Sequence, residues 1–258
     1  MKNEFYELVK NGWLTEDDAK KYLSNEKIVS AMELSTSPQK HNIFNALKMV
    51  SLNSVKVLIL GKDPYPNPKD AHGLAFSSKN DTTPDSLKNI FKAIDKVYGS
   101  NLFETGYNDL TNWAKEGVLL LNTGLTYQKI TDETLTTKEK NNLQTRIQNE
   151  NMRIWKPFVN QIVQKILTIK DRPIVMMLWG NDAHNIVFKN IKDKSYQKNL
   201  HSREVTIIPN SSIMILQCAH PSPLSVNRGG DFTTIAPKQF IECDKHLGKN
   251  KIHWTELK

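Results

Sequence analysis

Four short apolar runs punctuate the chain: residues 55–60 (VKVLIL), 117–121 (GVLLL), 174–178 (IVMML) and 213–216 (IMIL). None alternates steadily between apolar and polar positions, and each is too short for a buried helix. All four are predicted to be strands covered on both faces. Between them the apolar period lengthens. Asp85–Tyr98 carries Leu87, Ile90, Phe91, Ile94 and Val97 on one stripe, and residues 153–169 carry Ile154, Phe158, Ile162, Val163 and Ile166. Strands that alternate with helices predict an α/β fold with a parallel sheet and right-handed crossovers. Residues 1–50 read as helical. Thr15 is placed to N-cap Glu16–Leu23, and Ser37-Pro38 is expected to open a further helical segment bearing Ile43, Phe44, Leu47 and Val50. Residues 127–151 are polar and long, and read as partly helical or mobile, since a structureless loop of that length is unusual within a compact domain.

Each run ends in an unusual segment: GKDPYPNPKDAHGLAFS, NTGLT, WGNDAH and QCAHPSPLS. In open α/β sheets ligands bind beyond the carboxyl ends of the strands, so these segments predict one composite site. Gly61 permits a tight exit from the first strand, and Pro64 and Pro66 stiffen the loop around Asp63. Asp63 therefore reads either as a rigidly held catalytic carboxylate or as an Asx-turn residue that shapes the loop. His220, on a second Pro-rich loop, could donate a hydrogen bond to a developing oxyanion as a neutral imidazole. Ser222 and Ser225 offer hydroxyls to phosphates. Leu224 is either an ordinary exposed leucine or a wedge for a base stack. Asn122 ends the second strand with a donor and an acceptor suited to a nucleobase edge, or simply with a turn residue. Phe76 is a stacking platform or a core aromatic.

Charge adds a partner class. Lys+Arg 35 against Asp+Glu 27 gives a net +8, a surface that attracts polyanions. No apolar run approaches the roughly 18–20 residues of a membrane helix, and the N-terminal residues lack the apolar stretch of a secretory signal. Two cysteines, Cys218 and Cys243, exclude a disulfide scaffold and favour a reducing compartment: the cytoplasm, or the nucleus or a viral factory for a eukaryotic or viral source. Cys218, His220, Cys243 and His246 form a zinc-type ligand set, but at spacings that fit no common finger. No P-loop is present and no GxGxxG follows a strand, which argues against nucleotide-driven and dinucleotide chemistry. No metal and no cofactor is expected.

The loops GKDPYPNPKDAHGLAFS, VLLLNTGLT and HPSPLS, in this order and at these strand ends, resemble those of family 1 uracil-DNA glycosylases, with similarity running from about residue 42 to about residue 247. The resemblance implies a three-layer α/β/α domain spanning 1–258 with a central four-stranded parallel sheet, residues 1–41 forming a helical extension. It implies cofactor-independent, monofunctional hydrolysis of uracil from single- or double-stranded DNA, leaving an abasic site for base excision repair. In this reading Asp63 and His220 are catalytic, and Lys62, Tyr65, Phe76 and Asn122 hold uracil. Pro64, Ser86, Gly180, Asn181, Ser222, Leu224 and Ser225 face DNA. The chain departs from the family pattern in Lys62 for Gln, Pro66 for His and Gly180-Asn181 for Gly-Ser, and residues 127–151 lack the usual His-containing segment. Two other readings compete: a glycosylase-like DNA-binding or assembly module, motivated by Lys62 and Pro66, and an enzyme for another damaged base. A monomer is expected. The sequence does not name inhibitor proteins or replication factors.

Overall fold

The computed structural model describes residues 1–191, 206–207 and 212–257. In chain order the elements are α1 (Lys2–Lys10), α2 (Glu16–Leu23), α3 (Glu26–Glu33), α4 (Asn45–Met49), β1 (Val57–Gly61), α5 (Asp85–Tyr98), α6 (Leu102–Thr105), α7 (Thr111–Lys115) and β2 (Val118–Asn122). They continue with α8 (Thr137–Leu167), β3 (Ile174–Trp179), α9 (Asn181–Asn190), β4 (Thr206–Ile207), β5 (Ile213–Cys218), α10 (Pro223–Asn227) and α11 (Phe232–Leu247). The sheet order is β2-β1-β3-β5-β4. The four apolar runs are its parallel strands, with Val57 opposite both Val118 and Val175 and Ile174 opposite Ile213. Every residue of these strands is buried. Successive side chains point to opposite faces, so both faces are covered, as the unbroken apolar runs require.

The helices supply that cover. α5 packs on α11, which lies on β3 and β5; α9 packs on β3 and on α8; α4 and α7 pack on β2. One connected core runs from Phe5 to Trp254 and contains all five tryptophans. The N-terminal helices belong to it: Phe5 meets Phe44 at 5.0 Å between ring centroids, and Tyr22 meets Phe158 edge-on at 5.1 Å. Such aromatic pairs contribute about 0.5–1.5 kcal/mol each beyond the area they bury.

Two local expectations change, and a third, the partly helical reading of 127–151, gains its bounds. The antiparallel edge pair Thr206–Ile207 on β5 was not expected, since two residues carry no readable period. Ser37-Pro38 does not open a helix. Ser37 bridges Tyr127 instead; a single 3-10 turn follows at Lys40–Asn42, and α-helix resumes at Asn45. The polar segment 127–151 is helical from Thr137 onward, forming the first half of the 31-residue α8. A capping box starts that helix: Thr136 accepts from the Glu139 amide while Glu139 accepts from the Thr136 amide and hydroxyl. Its first turns project into solvent and therefore need no apolar stripe, which begins only where α8 reaches Asn151 and Trp155.

Candidate active site

Strand register sets the floor of the site. Gly61 at the end of β1 lies opposite Asn122 at the end of β2. A β-carbon on Gly61 would collide with Asn122 Oδ1 and lie 2.8 Å from the Ala75 β-carbon, so only glycine leaves the Asn122 amide its place. The Lys62 carbonyl accepts from the Thr123 hydroxyl and the Gly124 amide, both at 2.9 Å, which ties the first loop to the second. Asp63 follows, and its carboxylate makes no hydrogen bond among the described residues. The Asx-turn reading is therefore replaced: nothing in the loop's shape depends on this side chain.

Phe76 is held in an unusual backbone conformation, φ +63°, which costs an aromatic residue about 1–3 kcal/mol. Its surroundings offset that cost. The Tyr65 hydroxyl donates to the Phe76 carbonyl at 3.0 Å, the Ala75 amide donates to Leu120 at 2.9 Å, and the next residue, Ser77, is buried between His72 Nε2 at 2.7 Å and the Leu110 amide at 2.8 Å. The Phe76 ring packs edge-on against Trp179 at 5.7 Å and tilted against His220 at 5.9 Å.

His220 sits on the loop after β5, which is anchored from both sides. The Ala219 amide donates to Asp231 at 2.8 Å, and Asn89 donates to the Pro221 carbonyl at 2.7 Å. The Ser222 amide donates to His220 Nδ1 at 3.0 Å, so the neutral ring carries its hydrogen on Nε2. Gly180 (φ +89°) permits close approach: a β-carbon there would lie 3.0 Å from that of His220.

Together these segments enclose a cavity of about 230 Å³ at the carboxyl ends of the strands. It gathers Asp63, His220, Lys62, Tyr65, Phe76, Asn122, Pro64 and Ser86 from the residues singled out in the sequence. Gly180, Asn181, Ser222, Leu224 and Ser225 do not line it. Ser222 caps α10 by accepting the Ser225 amide, and its hydroxyl hydrogen is left to donate elsewhere. Leu224, on the same short helix, is 63% exposed. Two lining residues were missed, Tyr127 and Gln148, both from the polar segment whose function was not readable. Tyr127 is pinned by a 2.7 Å bond from its amide to the Ser37 carbonyl, and the Ser37 hydroxyl donates to Tyr65 at 2.6 Å. The only signal for it in the sequence was its position just after NTGLT.

Burial dominates the electrostatics. It raises the Asp63 carboxyl above the usual carboxylate range; the Lys62 ammonium opposes the shift and Asp182 adds to it. Burial lowers His220, with Asp182 opposing and Lys62 adding, which favours the neutral imidazole. The phenol of Tyr127 is pushed up by burial and by the nearby Asp63 charge. The Cys/His set does not converge on one point: Cys218 Sγ faces Gln239 at 3.7 Å, His220 faces the Ser222 amide, and His246 Nε2 lies 2.8 Å from the Ser212 carbonyl.

The family model described as "Uracil DNA glycosylase superfamily" matches residues 47–247. The protein named uracil-DNA glycosylase from Oceanobacillus iheyensis is 36% identical over 240 residues, covering 92% of this chain and 84% of the relative. Its namesake from Clostridioides difficile is 34% identical over 251 residues, covering 95% and 96%. Among solved structures, mimivirus uracil-DNA glycosylase superposes with a TM-score of 0.63 at 19% identity, covering 98% of this chain and 85% of that one.

Proposed function

The chain belongs to the uracil DNA glycosylase superfamily and excises uracil from DNA, and we propose that the strand-end cavity performs this reaction with Asp63 and His220 as its catalytic pair. The observation that carries the assignment is convergence: a free carboxylate and an aromatic face from the segment after β1, a carboxamide from the end of β2 and a neutral imidazole from the loop after β5 open onto one 230 Å³ space.

The roles follow from the chemistry of each group. The target nucleotide leaves the stack at a cost of a few kcal/mol and enters the cavity. Phe76 stacks on the base, and its pinned backbone keeps the ring from rotating away. The Asn122 amide donates and accepts along the N3/O4 edge, where cytosine presents the opposite pattern. Tyr65, fixed through its hydroxyl to Phe76, stands where a C5 methyl would project. As the C1′–N1 bond breaks, its electron pair moves onto uracil and His220 Nε2–H donates to the oxygen that gains charge. The Asp63 carboxylate stabilises the sugar cation and orients the water whose oxygen bonds to C1′. The water's proton is released as that bond forms, and the leaving uracil anion can take it up. The products are free uracil and an abasic strand, with no covalent intermediate. Ser86, Asn181, Ser222 and Ser225 grip flanking phosphates, and exposed Leu224 fills the gap in the stack. The binding-module reading has no observation in its favour, since Lys62 and Pro66 leave the cavity open.

The test is a panel of oligonucleotides bearing uracil, cytosine or thymine. Wild-type protein should release uracil alone, and Tyr65→Ala should add thymine release. Release of cytosine or thymine by the wild type, or preference for another 5-substituted pyrimidine, would refute the assignment.

Turnover requires Asp63 ionised and His220 neutral, so the rate should rise with pH along an acid limb. Lys62 lowers the proton affinity of both groups, while Asp182 raises it for both. Removing the Lys62 charge therefore moves both in the same direction. Lys62→Gln should displace the acid limb of kcat to higher pH, read from a pH–rate profile; an unmoved limb would show that Lys62 does not act on either group.

A further inference from the structure

Beside the catalytic cavity lies a second cleft of about 310 Å³, formed where α8 faces α9. Each helix lines it at helical spacing: Met152, Arg153 and Lys156 from α8, and Asn185, Ile186 and Lys189 from α9. The two spaces adjoin. Thr123, which also lines the cleft, follows Asn122 and donates to the Lys62 carbonyl. Asp182, at the cleft's near end, is close enough to influence both Asp63 and His220.

The lining suits a single polyanionic strand. Arg153, Lys156 and Lys189 supply three positive charges against the one carboxylate of Asp182. Among the described residues the carboxylate partner of Arg153 is the solvent-exposed Glu150, at 3.5 Å, a pairing of little energetic weight. Among the described residues Lys156 and Lys189 have no carboxylate partner. The Asn185 amide offers hydrogen bonds, and the Met152 and Ile186 side chains offer an apolar floor for a sugar or base. None of these groups touches the catalytic cavity.

We propose that the α8–α9 cleft is an accessory DNA-binding groove, in which Arg153, Lys156 and Lys189 hold the phosphates of the strand that continues beyond the flipped nucleotide. The inference rests on the reading of the neighbouring cavity as the excision site and extends its footprint along one side of the sheet. Each cation that neutralises a phosphate releases counterions, so the groove contributes to affinity and to its salt dependence rather than to bond cleavage.

The test replaces all three by alanine (R153A/K156A/K189A) and compares the product with a charge-matched control at the opposite, amino-terminal end of the strands (K115A/K249A/K251A). Excision kinetics are measured on a uracil oligonucleotide flanked by about ten nucleotides on each side, and affinity on the same strand without uracil, both as a function of salt. The groove variant should raise KM and Kd roughly tenfold or more at low salt, leave kcat unchanged, and reduce the salt slope by about 2 to 3. The control should change each far less. Equal effects in variant and control, or a kcat that falls with affinity intact, would overturn the groove. Failure of the wild type to release uracil would instead contradict the reading of the catalytic cavity, and affinity for the uracil-free strand would still decide the groove.

Discussion

Replacing Asp63 by asparagine is expected to slow uracil excision by about 10²–10⁴-fold, the range attributable to a positioned acid–base or charge-stabilising group, while affinity for DNA persists. The side chain holds no part of the loop: it makes no hydrogen bond among the described residues, and the loop is fixed by the Lys62 carbonyl, by Pro64 and Pro66, and by the Ser37 hydroxyl on Tyr65. Asparagine keeps its shape, removes the charge that stabilises the sugar cation, and replaces one of the two oxygens that orient water by an amide NH2. Binding of a uracil-containing strand should be unchanged or improved, because the strand's phosphates no longer meet that carboxylate. Single-turnover rates, with affinity measured in parallel by anisotropy, separate the two quantities. A mutant rate within threefold of wild type would remove Asp63 from the mechanism.

His220→Leu is expected to cost about 10²–10³ in kcat, the usual effect of deleting one donor to a developing oxyanion. Leucine preserves much of the contact with Phe76 but cannot donate. It also strands the Ser222 amide, which now donates to His220 Nδ1 at 3.0 Å. Leaving such a partner unpaired costs about 1–3 kcal/mol at most where water is excluded, so a modest fall in Tm should accompany the fall in rate. Catalytic and structural effects separate because the lost rate should persist at temperatures well below the transition, and because the plateau rate, not KM, should carry it. Retention of full activity in a folded variant would show that the leaving uracil needs no donor from this loop.

Much of this arrangement was legible before the structure. The four parallel strands were marked by short, largely apolar runs, because a sheet covered on both faces leaves few positions for a polar side chain; Asn122 and Gln217 are buried exceptions at strand ends. Asp85–Tyr98 was marked by its stripe, and Glu16–Leu23 by the Thr15 cap that the structure places in a reciprocal pair with Asp18. Eight of the predicted site residues converge because strand ends concentrate them in space, a consequence of topology rather than of any single motif. Where the reading missed, local chemistry had no apolar counterpart. The first turns of α8 are solvated, so their only mark was the Thr136-to-Glu139 capping box inside a polar run. Gln148 rides on that stretch and was invisible with it. Tyr127 depends on a bridge to Ser37, 90 residues away in sequence, which no local pattern encodes. Ser37-Pro38 resembles a helix start, yet tertiary pairing of Ser37 with Tyr127 draws it into extended structure instead.

The most direct test of the account is product analysis after incubation with a uracil-containing oligonucleotide, using protein made in a host that lacks its own glycosylase. The account predicts free uracil in stoichiometric amount, a strand that stays intact until alkali cleaves it at the abasic site, and no protein–DNA adduct when borohydride is present. Folded, DNA-binding protein that releases no uracil would contradict assignment of the cavity as an excision site. A borohydride-trapped adduct at Lys62 would contradict direct hydrolysis assisted by Asp63.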